Sequence, residues 1–216
     1  MVEKICSYIV NKMRKSMPEI DDERAEIIQY GMELIIGEIP KIILLFTVAF
    51  ILRIGWLTIF AYLAILPYRT CSGGFHLKTH ISCILSTSTF YYGVVLASKF
   101  ITLQPIHKYI LIGLVLVFGI IMITLYAPAD TENLPIISTK ERKKKKILSY
   151  VTLSLMLLIS IIVKNNSISN ILIFGAFVQT LFITRLAYKI TNNRYGHEVY
   201  PVSYTHLRAH ETRRHL

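Results

Sequence analysis

Charged residues are scarce in this chain. Of its 216 residues only 17% are Asp, Glu, Lys or Arg, 53% are hydrophobic, and the mean hydropathy is +0.51. A soluble domain carries about 25% charged residues, so this composition excludes an ordinary soluble fold. The apolar runs of the chain are of the kind that form membrane-spanning helices. We therefore predict an all-α integral membrane protein.

Recognition motifs for nucleic acid and for nucleotides are also missing. The net charge of +11 would suit a polyanion, but no nucleic-acid-binding motif accompanies it. We attribute the charge instead to membrane topology and to a bilayer with anionic headgroups as a partner. No Walker A motif is present, so the sequence offers no sign of chemistry driven by ATP.

Six apolar runs stand out as candidate membrane spans. They cover residues 34–52, 54–67, 81–97, 109–126, 147–163 and 171–187. A straight span needs about 20 residues, whereas the second run is short and the first carries Glu38 and Lys41. We therefore expect about six transmembrane helices, with four as the lower limit.

Lys and Arg are distributed unequally over the loops between these runs. With six spans, nineteen of them fall on one side and four on the other. The positive-inside rule assigns the richer side to the cytoplasm. We therefore predict a multi-pass protein of the cell membrane, with both termini, residues 69–80 and the basic run 140–146 in the cytoplasm. The three cysteines, Cys6, Cys71 and Cys83, then lie where thiols stay reduced, so we expect no structural disulfide.

The composition divides the chain into three regions. Residues 1–32 form an arm in which apolar residues recur at helical spacing among basic ones, which predicts an amphipathic helix at the cytoplasmic surface. The arm lacks the short apolar core of a signal peptide, so we expect it to be retained. Residues 33–194 form the membrane domain. Residues 195–216 hold four of the seven histidines and no apolar period, and we expect a disordered tail or a cloning artefact.

The stretch RTCSGGFHLKTHISC, residues 69–83, concentrates reactive side chains. In a structural interpretation the cysteines fill apolar space and the glycines form a turn. In a second interpretation Cys71, His76, His80 and Cys83 bind a metal, although their spacing matches no common zinc module. In a third, a cysteine is a nucleophile and a histidine its base.

Geometry limits the third interpretation. On one continuous helix His76 and Cys83 would lie about 10 Å apart along the axis, whereas proton transfer needs about 3 Å. Gly73 and Gly74 can supply the break, because glycine adopts backbone angles closed to other residues.

The start of the following helix is the expected place of the nucleophile. Thr79 suits an N-cap, which would place Cys83 near the first turn, where the helix dipole favours a thiolate. His80, three residues before Cys83, is a rival base to His76, and spacing alone does not separate the two.

The order of Arg69, Gly73, Gly74, His76 and, seven residues later, Cys83 resembles the accessory gene regulator B (AgrB) family of membrane cysteine endopeptidases. Similarity continues in YGMELIIGEIPKI from residue 30 and in YAPADTENLPI from residue 126, so it covers roughly residues 1–190.

This resemblance implies His76 as general base and Cys83 as nucleophile, with Cys71 and His80 as bystanders. It implies a supporting role for the residues at positions 69, 73 and 74. The family has a lysine where this chain has Leu134, which puts any anion contact from that loop in doubt.

The resemblance also implies a substrate. It would be a short AgrD-like pheromone precursor of bacterial quorum sensing, cleaved and cyclised to a thiolactone through an acyl-enzyme, with no metal or organic cofactor. A homodimer is left open. Two functions from other classes compete with this one: a small metal-binding membrane protein that uses the four Cys and His residues, and a peptide exporter. Glu33 or Glu38 could orient His76, although we expect Glu38 to pair with Lys41.

Overall fold

The computed structural model describes residues 2–17, 21–77, 79–132, 135–136 and 138–199. Over these residues the chain forms helices and no β-strand, and they belong to two compact units that divide between residues 55 and 56. The helices are α1 Val2–Ser16, α2 Asp22–Ile51, α3 Gly55–Ser72, α4 His80–Phe100, α5 Pro105–Tyr126, α6 Thr139–Ile162, α7 Asn166–Phe182, α8 Arg185–Ile190 and α9 Gly196–Val199. The predicted all-α class is confirmed.

The first unit is a pair of helices, α1 packed against α2. On α1, Cys6 and Val10 are buried while Lys12 and Lys15 are exposed, so the helix has the two faces that the sequence predicts. Its place at the cytoplasmic surface stays a prediction. Asp21 caps α2 by accepting a hydrogen bond from the backbone N–H of Arg24 at 2.8 Å.

Helix α2 runs without a break from residue 22 to residue 51. The predicted boundary between the arm and the membrane domain, at residue 32, therefore falls inside one helix and marks no structural division. Lys41 donates to Glu38 at 2.5 Å, which confirms the predicted pair. The side chain of Glu33 lies outside the described residues.

Within the part of the chain that the structure describes, three helices are long and apolar enough to cross a membrane: Ile81–Phe100 in α4, Pro105–Tyr126 and Thr139–Ile162. A shorter apolar helix, Asn166–Phe182, follows them. These four correspond to the last four predicted runs. The first two runs lie in α2 and α3, and their crossing of the membrane, like the total of six spans, stays a prediction.

Helix α7 is the centre of the second unit, because α4, α5 and α6 all pack against it. Most of its side chains are buried, including the polar Gln179 and Thr180. Helix α3 meets the same helix, since the hydroxyl groups of Tyr68 and Thr180 lie 2.8 Å apart. The polar interior of α7 therefore faces the end of α3, where the reactive stretch begins.

The basic run 140–146 is helical. It forms the first turns of α6, which Ser138 caps by accepting from the backbone N–H of Glu141 at 3.4 Å. Ser-x-x-Glu is a typical capping sequence. The lysines therefore extend the apolar helix rather than form a loop before it.

Candidate functional site

Helix α3 ends in a turn that only glycine can make; we call residues 72–74 the glycine turn. Gly73 has a φ angle of +76° and Gly74 one of +146°. Both values lie in the region that side chains disfavour. The helix therefore ends at the two glycines, as predicted, and His76 and Cys83 do not share one continuous helix.

The glycine turn is joined to the chain near residue 129 by backbone hydrogen bonds. The N–H of Ala129 donates to Ser72 O at 2.8 Å, and the N–H of Gly74 donates to Ala129 O at 2.9 Å. The approach is so close that a Cβ on Gly73 would lie 2.2 Å from Ala129 O. Position 73 therefore needs glycine for its space as well as for its backbone angle.

The other side of the turn is held by Gln179 of α7. Its Nε2 donates to Gly73 O at 2.8 Å and to Ser72 Oγ at 3.1 Å. Its Oε1 accepts from Arg69 Nη1 at 3.2 Å. Gln179 is fully buried. The sequence analysis missed this residue, although a glutamine within an apolar helix was the available signal.

Arg69 lies against α7. Besides its bond to Gln179, its guanidinium carbon lies 5.7 Å from the centre of the Phe182 ring. Phe182 also contacts Phe75 edge-on, with ring centres 4.9 Å apart, and Phe90 of α4 at 5.0 Å. Phe75 therefore anchors the chain directly after the glycine turn. The next residue, His76, is exposed in the irregular segment that leads to α4.

Cys83 lies in the first turn of α4, where the sequence predicts it. Thr79 is the N-cap, because its Oγ1 accepts from the N–H of Ser82 at 3.2 Å. The N–H of Cys83 donates to Thr79 O at 3.0 Å, and its side chain is half-buried. In an α-helix the first N–H groups have no acceptor within the helix, so those of His80 and Ile81 point out of the helix end.

The remaining members of the predicted metal cluster are spread over two elements. Cys71 is half-buried in the last turn of α3, and His80 begins α4. Among the described side chains, no group of three His, Cys, Asp or Glu residues is arranged to hold a metal ion. The side chain of His80 lies outside the described residues, so the four-residue metal site stays an untested alternative.

A buried carboxylate, that of Asp130, follows directly after Ala129, whose backbone is bonded to the glycine turn. Asp130 accepts from Arg142 Nη1 at 2.8 Å and lies 3.1 Å from Nδ1 of His197. It also accepts from the N–H of Ile136 at 3.0 Å. We call Asp130, Arg142 and His197 the carboxylate cluster. It ties the segment after α5 to α6 and to α9.

Two buried tyrosines complete this region. The Tyr188 hydroxyl donates to Ala129 O at 2.9 Å, and the Tyr195 hydroxyl donates to Ile183 O at 2.9 Å. The two rings stack with centres 4.0 Å apart. Burial raises the pKa of both hydroxyl groups, so both stay protonated and act as donors.

Residues 195–199, the first of the predicted tail, are therefore part of the packed second unit. Residues 200–216 lie outside the described residues, as does Leu134. For them the predictions of a disordered or artefactual tail and of an altered anion contact stay predictions.

Comparison with known proteins supplies the family. The model of the family described as Accessory gene regulator B matches residues 5–183, which is most of the chain and includes the whole stretch from the glycine turn to Cys83. The chain belongs to the AgrB family. The family resemblance is confirmed.

Individual relatives agree with this assignment. An AgrB-like protein of Listeria innocua is 27% identical over 194 residues, covering 89% of this chain and 91% of the relative. AgrB-like proteins of Clostridium perfringens are 30% identical over 165 residues, covering 75% and 77%, and 29% identical over 197 residues, covering 85% and 92%. No solved structure matches this chain. Membership of the AgrB family assigns the chain a role in the processing of a quorum-sensing peptide.

Proposed function

We propose that the protein is a membrane cysteine endopeptidase that cleaves a short AgrD-like precursor peptide and assists its closure to a thiolactone. Cys83 is the nucleophile and His76 is the general base. The observation that carries the proposal is the glycine turn at the end of α3. It ends α3 before His76 and leaves that residue on a short segment that leads to the helix start holding Cys83.

The reaction has two steps. His76 removes the proton of Cys83, and the thiolate attacks a peptide carbonyl. The C–N bond breaks, the leaving amine takes the proton from His76, and a thioester to Cys83 remains. A cysteine thiol of the bound substrate fragment then attacks the thioester, which returns the thiol of Cys83 and yields the ring. One thioester replaces another, so the second step needs no external source of energy.

The start of α4 suits the charge that develops during these steps. The N–H groups of His80 and Ile81 have no acceptor within the helix, and the positive end of the helix dipole favours both a thiolate and an oxyanion. These N–H groups are the proposed oxyanion donors. The structure holds Arg69 against Gln179 and Phe182, so its proposed role is support of the turn.

The substrate would reach the site from the membrane surface. We propose that residues 69–80, the basic start of α6 and both termini face the cytoplasm, where Lys143, Lys144 and other exposed lysines attract an acidic peptide or an anionic lipid. A peptide that is itself bound to the membrane would meet the enzyme at raised effective concentration. A second copy of the chain is not needed for these steps.

The pH dependence of Cys83 alkylation tests the nucleophile without a substrate. The protein carrying Cys6→Ser and Cys71→Ser is treated in detergent with iodoacetamide over a pH series. We expect iodoacetamide to alkylate Cys83 readily, His76→Ala to slow this alkylation, and His80→Ala to leave it unchanged. Alkylation of Cys83 that is the same in His76→Ala as in the parent protein would overturn the proposal.

Cleavage of a precursor peptide tests the proposed endopeptidase activity against the two alternative functions. The product of any short reading frame with an internal cysteine beside the gene is the candidate substrate, and it is co-expressed with each variant. We expect Cys83→Ala and His76→Ala to stop cleavage, whereas Cys71→Ser and His80→Ala keep it. Equal loss in all four variants, reversed by added zinc, would instead indicate a metal site. Continued export of the peptide by Cys83→Ala would indicate an exporter.

A further inference from the structure

We infer that Gln179 is the positioning residue of the candidate site and that Arg69 acts through it rather than on the substrate. The inference rests on the proposed function, because it concerns the loop that carries His76. The first observation is that the side chain of Gln179 on α7 is fully buried and that its amide group donates to the glycine turn. An amide is buried at a cost unless its hydrogen bonds are made.

The neighbours of Gln179 permit only one orientation of its amide group. A guanidinium is a donor only, so the oxygen of the amide must face Arg69. A backbone carbonyl is an acceptor only, so the NH₂ group must face Gly73 O. The contacts of 3.2 Å and 2.8 Å agree with this arrangement. Arg69 therefore fixes which way Gln179 presents its donor.

The donor then holds the carbonyl of the peptide between Gly73 and Gly74, whose N–H donates to Ala129 O. Gly73 and Gly74 both have positive φ angles, and glycine has more backbone freedom than any other residue. Ala129 holds Ser72 O and the N–H of Gly74, but the Gly73 carbonyl between them is held by Gln179. Without that bond the peptide between the glycines keeps only the hydrogen bond of its N–H to Ala129 O, so its plane can tilt about that contact, and the position of His76, three residues after Gly73, changes with it.

The expected effect is on catalysis more than on folding. A displacement of about 1 Å in a reacting group can reduce the rate about 100-fold. We expect Gln179→Met, which has similar volume and no hydrogen-bonding amide, to slow precursor cleavage about 10-fold to 100-fold. We also expect it to shift the pH profile of Cys83 alkylation towards that of His76→Ala.

Thr180→Val is the matched control. Thr180 is the next residue of α7, is equally buried, and makes its hydrogen bonds to Tyr68 and to Ala176 O rather than to the glycine turn. If Gln179 only stabilises the fold, the two variants should lose activity in proportion to their loss of thermal stability. We expect instead that Thr180→Val keeps the alkylation profile of the parent protein, although it loses about as much thermal stability as Gln179→Met.

A double-mutant comparison tests the role of Arg69. We expect Arg69→Met to impair the parent protein but to add little further loss in the Gln179→Met background, since the two residues act as one unit. Additive losses would show that Arg69 acts independently and would overturn that part of the inference. An unchanged alkylation profile in Gln179→Met, with His76→Ala still altering it, would overturn the positioning role alone. An unchanged profile in His76→Ala would instead count against the proposed function.

Discussion

Replacement of Gly73 by alanine should separate the two demands that the structure makes on this position. The first is the backbone angle, because a residue with a Cβ pays about 1–2 kcal/mol in the left-handed region. The second is space, because the new Cβ would lie 2.2 Å from Ala129 O and 2.8 Å from Ala129 C. Since these are backbone atoms, no side-chain rotation can relieve the contact.

The loss of folding free energy in Gly73→Ala can be estimated from the chain segments that must move apart. To reach a tolerable distance the two chain segments must separate by about 1 Å. This separation stretches two hydrogen bonds of 2.8 Å and 2.9 Å, each worth about 0.5–1.5 kcal/mol net. With the backbone strain, Gly73→Ala should therefore cost about 2–5 kcal/mol of folding free energy. That is a large part of the 5–15 kcal/mol typical of a protein.

Thermal unfolding followed by circular dichroism in detergent measures this cost. Gly74→Ala is the first comparison. Its Cβ would lie 3.6 Å from the nearest atom, so this substitution should cost only the backbone strain. Gly93→Ala in α4 is the second, because nothing lies within 4 Å of its Cβ and alanine favours a helix. If Gly73→Ala unfolds at the same temperature as Gly74→Ala, the close approach to Ala129 is refuted.

Three further variants test other parts of the second unit. Thr79→Ala removes the cap that accepts from Ser82 and should cost about 1 kcal/mol, seen as faster hydrogen exchange at the start of α4. Asp130→Asn leaves Arg142 without its buried partner and should cost about 3–5 kcal/mol in thermal unfolding, whereas a loss below about 1 kcal/mol would show that the pair is solvated. Tyr188→Phe removes the donor to Ala129 O and should cost about 1–3 kcal/mol. Because the folded-state pKa of Tyr188 is raised, stability should fall as pH rises above about 10, and less steeply in Tyr188→Phe.

The sequence was sufficient for features that depend on local rules. Apolar length predicts the membrane helices, and the glycine pair together with Thr79 predicts where α3 ends and α4 begins. Each of these depends on residues close together in the chain. The order of Gly73, Gly74, His76 and Cys83, together with the segments that begin at residues 30 and 126, was also enough for the family.

The supports of the site depend on contacts between distant segments and were missed. Gln179 lies more than one hundred residues after the glycine turn that it holds, and no spacing rule joins them. The carboxylate cluster likewise joins residues 130, 142 and 197 from three segments. His197 was assigned to an unstructured tail because a short segment rich in polar residues shows no helical period. The arm boundary at residue 32 follows a change in composition, and it falls within the continuous helix α2.

The contact between Gly73 and Ala129 has a genetic consequence. The atom that excludes a side chain at position 73 is a carbonyl oxygen of the main chain, which every residue at position 129 would carry. A second mutation at position 129 therefore cannot create room for a larger residue at position 73. In a selection for revertants of Gly73→Ala, restored function should come from codon 73 itself.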